Sequence, residues 1–211
     1  MGYKYDILRK IKQKKIKITV IGLGYVGLPL ALLFSKFNIK VYGVDKDVDK
    51  INKLKKNKST LKRISNQKIK KFNSSLNVFS KSYSSIKFSD FIIICLPTPL
   101  NKIKKPDLSF IKNAVREMCS HITKGTTIIL ESTSYPGTTE EILINNLKKK
   151  FTIGEELFIG YSPERINPGK NENSIAVVPK VVSGKTNNCL KIVSSFYQLF
   201  FKKIVKAKSI K

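Results

Sequence analysis

"VIGLGYVG" (20–27) closes a short β-branched run, "IKITVI" (16–21), and opens a stretch with helical spacing. The apolar residues that follow fall at Val26, Leu30, Leu33, Phe34 and Phe37. Pro29 fits the first turn of that helix, where a missing N–H costs nothing. Between strand and helix stand Gly22, Gly24 and Gly27, in G-x-G-x-x-G spacing. The first glycine of such a loop makes the turn, the second lets backbone approach a pyrophosphate, and the third lets helix and strand pack closely. Asp45 ends a second strand, "KVYGVD" (40–45), eighteen residues beyond Gly27. That is near the spacing of an acid that bonds ribose hydroxyls. The set reads as a dinucleotide site, and the carboxylate favours NAD over NADP because it repels a 2′-phosphate. Lys46 and Lys50 soften that repulsion.

Working outward, "DVDKINKLKK" (47–56) resumes helical spacing, and residues 57–88 read as polar helix and loop. "DFIIICLP" (90–97) is a continuous apolar run, the pattern of a strand buried on both faces, and places Cys95 inside that strand. "DLSFIKNAVREMCSHI" (107–122) is amphipathic, with Asp107 or Ser109 as its cap. "TTIILEST" (126–133) is another buried strand, and "TTEEILINNLKKK" (138–150) a helix with acid at its start and lysine at its end. "ELFIGYSPE" (156–164), "PKVVSG" (179–184) and "FKKIVKA" (201–207) complete the strands, the last two around the helix "NNCLKIVSSFYQLF" (187–200). Alternating strands and helices make the class α/β, with a doubly wound, mostly parallel sheet.

Composition narrows the partners. The chain of 211 residues is 41% hydrophobic, enough for a real core, and carries a formal charge of +27. Only four of its 41 basic residues are arginines (Arg9, Arg63, Arg116, Arg165), and the lysines are dispersed. Nucleic-acid readers favour arginine, so the charge reads as a solvated lysine surface, with no specific nucleic-acid partner expected. Three scattered cysteines and one histidine supply neither a disulfide framework nor a metal site, and point to a reducing, cytoplasmic compartment. The apolar run after the basic start "RKIKQKKIK" (9–17) is interrupted by three glycines and Pro29, so no targeting or membrane segment is expected.

In open α/β sheets ligands bind beyond the carboxyl ends of the strands. Three such ends are polar and flanked by proline: "LPTP" with Thr98, "ESTSYPGT" with Thr133, and "YSPERINPG" (161–169) with Glu164 and Arg165. The prolines set a Glu–Arg pair on a stiff strand exit, aimed at the crevice beside the glycine loop.

"KITVIGLGYVGLPLA", "LPTPL", "PDLS", "ESTSYPGTT" and "YSPERINPG", in this order, resemble the N-terminal half of the UDP-glucose/GDP-mannose dehydrogenase family. "GYVGLPLA" and "SPERINPG" resemble its UDP-N-acetylhexosamine branch, UDP-N-acetylglucosamine 6-dehydrogenases above all. The resemblance implies a Rossmann-like NAD-binding domain and oxidation of a sugar C6 alcohol to a carboxylate in two hydride transfers, for surface polysaccharide synthesis. It implies cofactor contacts from Gly22, Gly24, Tyr25, Val26, Gly27, Asp45, Lys50, Thr98 and Thr133. Thr133 would help position a catalytic water and Glu164 would be the acid/base, while Arg165 and Ile166 would contact the UDP-sugar. The family's catalytic lysine and nucleophilic cysteine belong to chain beyond this sequence, as does the central helix on which its homo-oligomers form. The expected organisation is a basic arm (1–14), an NAD-binding domain (15–206) and the start of that helix (207–211), with the chain inactive alone. A glycine frequent in relatives after the helix at 47–56 is replaced by Asn57-Lys58-Ser59. UDP-N-acetylmannosamine or UDP-glucose as substrate, and a non-catalytic NAD-binding remnant, are the alternatives.

Overall fold

The computed structural model describes residues 2–164 and 178–210. Among these residues eight strands form one sheet: β1 (Lys17–Ile21), β2 (Lys40–Val44), β3 (Val78–Ser80), β4 (Phe91–Ile94), β5 (Thr127–Leu130), β6 (Phe158–Tyr161), β7 (Lys180–Gly184) and β8 (Ile204–Lys206). Their order is β3-β2-β1-β4-β5-β6-β7-β8. Every neighbouring pair is parallel except β6 and β7, which are antiparallel. The strand order reverses between β1 and β4, and such a switch point opens a crevice at the strand ends.

The alternation along β4 explains its unbroken apolar run. Phe91 and Ile93 pack on one face of the sheet, with α1 (Tyr3–Lys12), α2 (Gly27–Ser35) and α7 (Asn187–Gln198). Ile92 and Ile94 pack on the other, against α5 (Ser109–Met118), a π-helical turn (Thr139–Ile144) and α6 (Asn145–Leu147). Both faces are therefore cores, as parallel strands require. Phe196 of α7 stacks on Phe91 at 4.1 Å between ring centroids and meets Phe34 of α2 edge-on at 5.5 Å.

Three elements depart from the sequence reading. The basic start folds as α1: Ile7 and Ile11, one turn apart, are buried, while the lysines face solvent. The stretch 57–88 holds α4 (Asn66–Asn73), a 3-10 turn (Tyr83–Phe88) and the short strand β3. The strand escaped notice because it is three residues long and its Val78 is exposed. Residues 207–210 form no helix, and Ile210 is buried on the α5 face.

Asn57 follows α3 (Val48–Lys55) with φ +60°, the left-handed region that glycine would otherwise fill. Asn tolerates it better than most residues, and its side-chain oxygen accepts a hydrogen bond of 2.8 Å from Asn73.

Candidate functional site

A cleft of about 700 Å³ opens at the strand ends of the switch point, within the roughly 300–1,000 Å³ range of small-molecule sites. The glycine loop forms its floor. Gly22 has φ +89°, and a Cβ there would meet the carbonyl oxygen of Cys95 at 2.6 Å. A Cβ on Gly27 would lie 1.8 Å from the carbonyl oxygen of Gly22. These two glycines are required by the fold itself. Gly24 is different: a Cβ there would meet nothing within 4 Å. The space it leaves faces the cleft, where a ligand's phosphates would approach. Val26 caps α2 without a side-chain hydrogen bond, and the start of the helix borders the same space. Within its first turn the Leu28 N–H bonds the Gly24 carbonyl at 3.2 Å, and Pro29 carries no N–H.

Asp45 lies just beyond β2, only 12% exposed at its side chain. Its Oδ2 accepts from the Leu23 N–H at 2.8 Å and from Lys50 Nζ at 2.7 Å. Its Oδ1 accepts from the Asp47 N–H at 3.0 Å. The carboxylate therefore clamps the glycine loop to the second strand and holds Lys50 beside it. Tyr25 is exposed at the rim. The Arg63 guanidinium sits 5.6 Å over its ring and donates to its carbonyl oxygen.

The other three strand exits converge on the far end of the cleft. Thr98 Oγ1 donates to the Thr133 carbonyl at 2.5 Å, joining the exits of β4 and β5. Both threonines and Glu164 line the cleft. The Ser162 hydroxyl donates to the Val181 carbonyl at 2.7 Å and ties the exit of β6 to β7, which aims Glu164. Thus Gly22, Gly24, Tyr25, Val26, Asp45, Lys50, Thr98, Thr133 and Glu164 all border one cleft, with Gly27 packed beneath it. Arg165 and Ile166 lie outside the described residues.

Behind Glu164 is a cluster that the sequence reading passed over. Glu131, the residue after β5, is fully buried. Its Oε2 accepts from Lys180 Nζ at 2.6 Å, and its Oε1 from the Tyr197 hydroxyl. Lys180 Nζ also reaches Glu164 Oε2 at 3.4 Å. Both Glu131 oxygens act as acceptors, the pattern of an ionised carboxylate. Burial pushes the Glu131 carboxyl up, while Lys180 pulls the other way. Burial would lower Lys180, but the carboxylates of Glu131 and Glu164 outweigh it and raise its pKa. The available signal was a charge at one end of each buried run, after it in "IILEST" and at its start in "PKVVSG". Tyr83 also lines the cleft, and its hydroxyl is pushed up to about 12 by burial, then by Glu117 and Asp45.

Cys95 sits one residue beyond β4, and its N–H still bonds the Ile21 carbonyl at the switch point at 2.8 Å. It lines the cleft, and burial pushes its thiol well up, so it offers no thiolate. Among the described residues no group of histidine, cysteine and carboxylate side chains could hold a metal ion. Nor is any of their helices long and apolar enough to cross a membrane.

Residues 16–201 match the family model described as the UDP-glucose/GDP-mannose dehydrogenase family, NAD binding domain. Protein CapL of Staphylococcus aureus is 41% identical over 182 residues, covering 85% of this chain and 42% of that protein. The UDP-N-acetyl-D-glucosamine 6-dehydrogenase of Pseudomonas aeruginosa is 36% identical over 187 residues, covering 88% of this chain and 44% of the enzyme. The structure of the UDP-N-acetyl-mannosamine dehydrogenase Cap5O from S. aureus superposes with a TM-score of 0.85 at 29% identity, over 92% of this chain and 48% of that one. The chain thus spans a little under half the length of the relatives it matches.

Proposed function

The chain belongs to the UDP-glucose/GDP-mannose dehydrogenase family, and from that premise we propose that it is the NAD-binding half of a UDP-N-acetylhexosamine 6-dehydrogenase. UDP-N-acetylglucosamine is the favoured substrate, because the 36% identical Pseudomonas relative acts on it by name. The observation that carries the reading is the convergence of Thr98, Thr133 and Glu164 on the cleft that begins at the glycine loop.

The cofactor is NAD, and the residues present fit it. Gly24 leaves room for the pyrophosphate, the α2 N-terminus faces it, and Asp45 stands ready for the ribose hydroxyls. When bound, NAD accepts hydride from the sugar C6. Glu164 then serves as the acid/base that takes a proton from water and returns it, with Thr133 helping to place that water. Thr98, bonded to the Thr133 carbonyl, fixes the threonine's loop. Arg165 and Ile166 would meet the sugar nucleotide. Arginine suits that task, since its planar fork can bind a pyrophosphate at two points. Cys95, with its raised thiol pKa, does not fill the role of a covalent nucleophile.

Saturation-transfer NMR on the NAD-loaded chain tests the substrate class. Transfer to UDP-N-acetylglucosamine is expected, with less to UDP-glucose. A preference for UDP-glucose over both N-acetylhexosamines would overturn the assignment. Among the described residues no activated thiol lines the cleft, so NADH formed in the same samples should not exceed one per sugar. Steady formation of two NADH per sugar would contradict the role given to Cys95.

A further inference from the structure

The ion cluster behind Glu164 has a direction. Glu131 and Glu164 both border the cleft, whereas Lys180, whose ammonium they share, does not. The Glu131 carboxylate is fully buried and turned to Lys180 and Tyr197, while the Glu164 side chain is 10% exposed. Lys180 Nζ lies deeper, 5.4 Å from the Tyr197 ring centroid and 5.7 Å from that of Phe201. Its side chain is 5% exposed. Among the described residues, the ionisable groups packed around it are Cys95 beyond β4, Glu131 beyond β5, Glu164 beyond β6 and Tyr197 of α7. Glu164 is therefore the charged end of the cluster that faces the cleft, with Glu131 behind it, and the ammonium faces the core.

With Asp45 at the adenosine end of the cleft and the glycine loop at its middle, the nicotinamide half of a bound NAD would extend toward β4, β5 and β6. That end is walled by Thr98, Thr133, Glu131 and Glu164. An oxidised nicotinamide ring carries a positive charge, and a reduced one is neutral. We propose that the Glu131–Lys180–Glu164 triad discriminates between the two states, holding NAD⁺ in preference to NADH. At the effective dielectric of a partly open cleft, one such carboxylate near the ring charge is worth roughly a tenfold ratio of affinities. A dehydrogenase that transfers two hydrides per substrate gains from this, since spent cofactor leaves while fresh cofactor enters. The inference rests on the NAD site and on the position of Glu164, not on which sugar is oxidised.

Calorimetric affinities of the 211-residue chain for NAD⁺ and NADH test it. Glu164→Gln should lower the ratio of the NADH to the NAD⁺ dissociation constant roughly tenfold, and Glu131→Gln should move it the same way. Asp45→Asn should weaken both forms equally and leave the ratio unchanged. A ratio unmoved by Glu164→Gln, or moved as far by Asp45→Asn, overturns the inference while leaving the cofactor site intact. A wild-type chain that binds neither form overturns the cofactor site and the inference with it.

Discussion

Replacing Gly24 by alanine separates what the fold needs from what the ligand needs. A Cβ at Gly24 meets nothing of the protein within 4 Å, and the backbone there is outside the left-handed region. The folded chain should accept the methyl group without movement. Stability should even rise by about 0.4–1 kcal/mol, because the unfolded chain loses freedom. The same methyl occupies the approach of the pyrophosphate. Displacing the phosphate from N–H donors at the start of α2 forfeits a charge-assisted hydrogen bond, about 1.5–3 kcal/mol. NAD should therefore bind about 10- to 100-fold more weakly. Gly27→Ala is the contrasting variant. Its Cβ would lie 1.8 Å from the Gly22 carbonyl oxygen, a backbone atom that no side-chain rotation can clear. That variant should lose stability as well as binding. Urea denaturation and calorimetry on both variants read the two effects apart. A Gly24→Ala chain that binds NAD as wild type does would refute the placement of the pyrophosphate. A Gly24→Ala chain that melts like Gly27→Ala would refute the reasoning from open space.

Lys180→Met strands the buried Glu131 carboxylate and should cost about 3–5 kcal/mol in denaturant unfolding, much of it recovered in Glu131→Gln/Lys180→Met. No recovery would mean that the lysine acts through packing alone. Because the folded-state pKa of Lys180 is raised above 10.5, its contribution is full below that pH and fades as pH rises through the folded value. The stability gap between wild type and the double variant should hold steady from about pH 9 and narrow only above about 10.5. A gap that widens with alkalinity would contradict the shift. Phe196→Ala removes a fully buried ring stacked on Phe91 and should cost about 3–5 kcal/mol by the same unfolding assay. A loss under about 1 kcal/mol would show that the aromatic cluster is not a tightly packed core.

The sheet was legible because its strands announce themselves through continuous apolar runs such as "FIIIC", and the glycine loop because its spacing has a mechanical reason at Gly22 and Gly27. β3 was not legible: three residues with an exposed valine lack a two-sided apolar run, and only pairing with β2 defines them. The fold of α1 was masked by its lysines, which outnumber the two isoleucines that bury it. At the site, the residues on proline-flanked strand exits could be read locally. The Glu131–Lys180–Tyr197 cluster could not, since its members are 49 and 66 residues apart and meet only through the antiparallel placement of β7 and the packing of α7. Each looks, in sequence, like a lone polar residue beside an apolar segment.

Asp45 and the glycine loop together are what would make this cleft an NAD site. Titration calorimetry of the purified chain with NAD⁺ and with NADP⁺ tests it most directly. One site per chain is expected, occupied by NAD⁺ more tightly than by NADP⁺, with the gap narrowed in Asp45→Ala. Tighter binding of NADP⁺, or heat from neither cofactor, would contradict it.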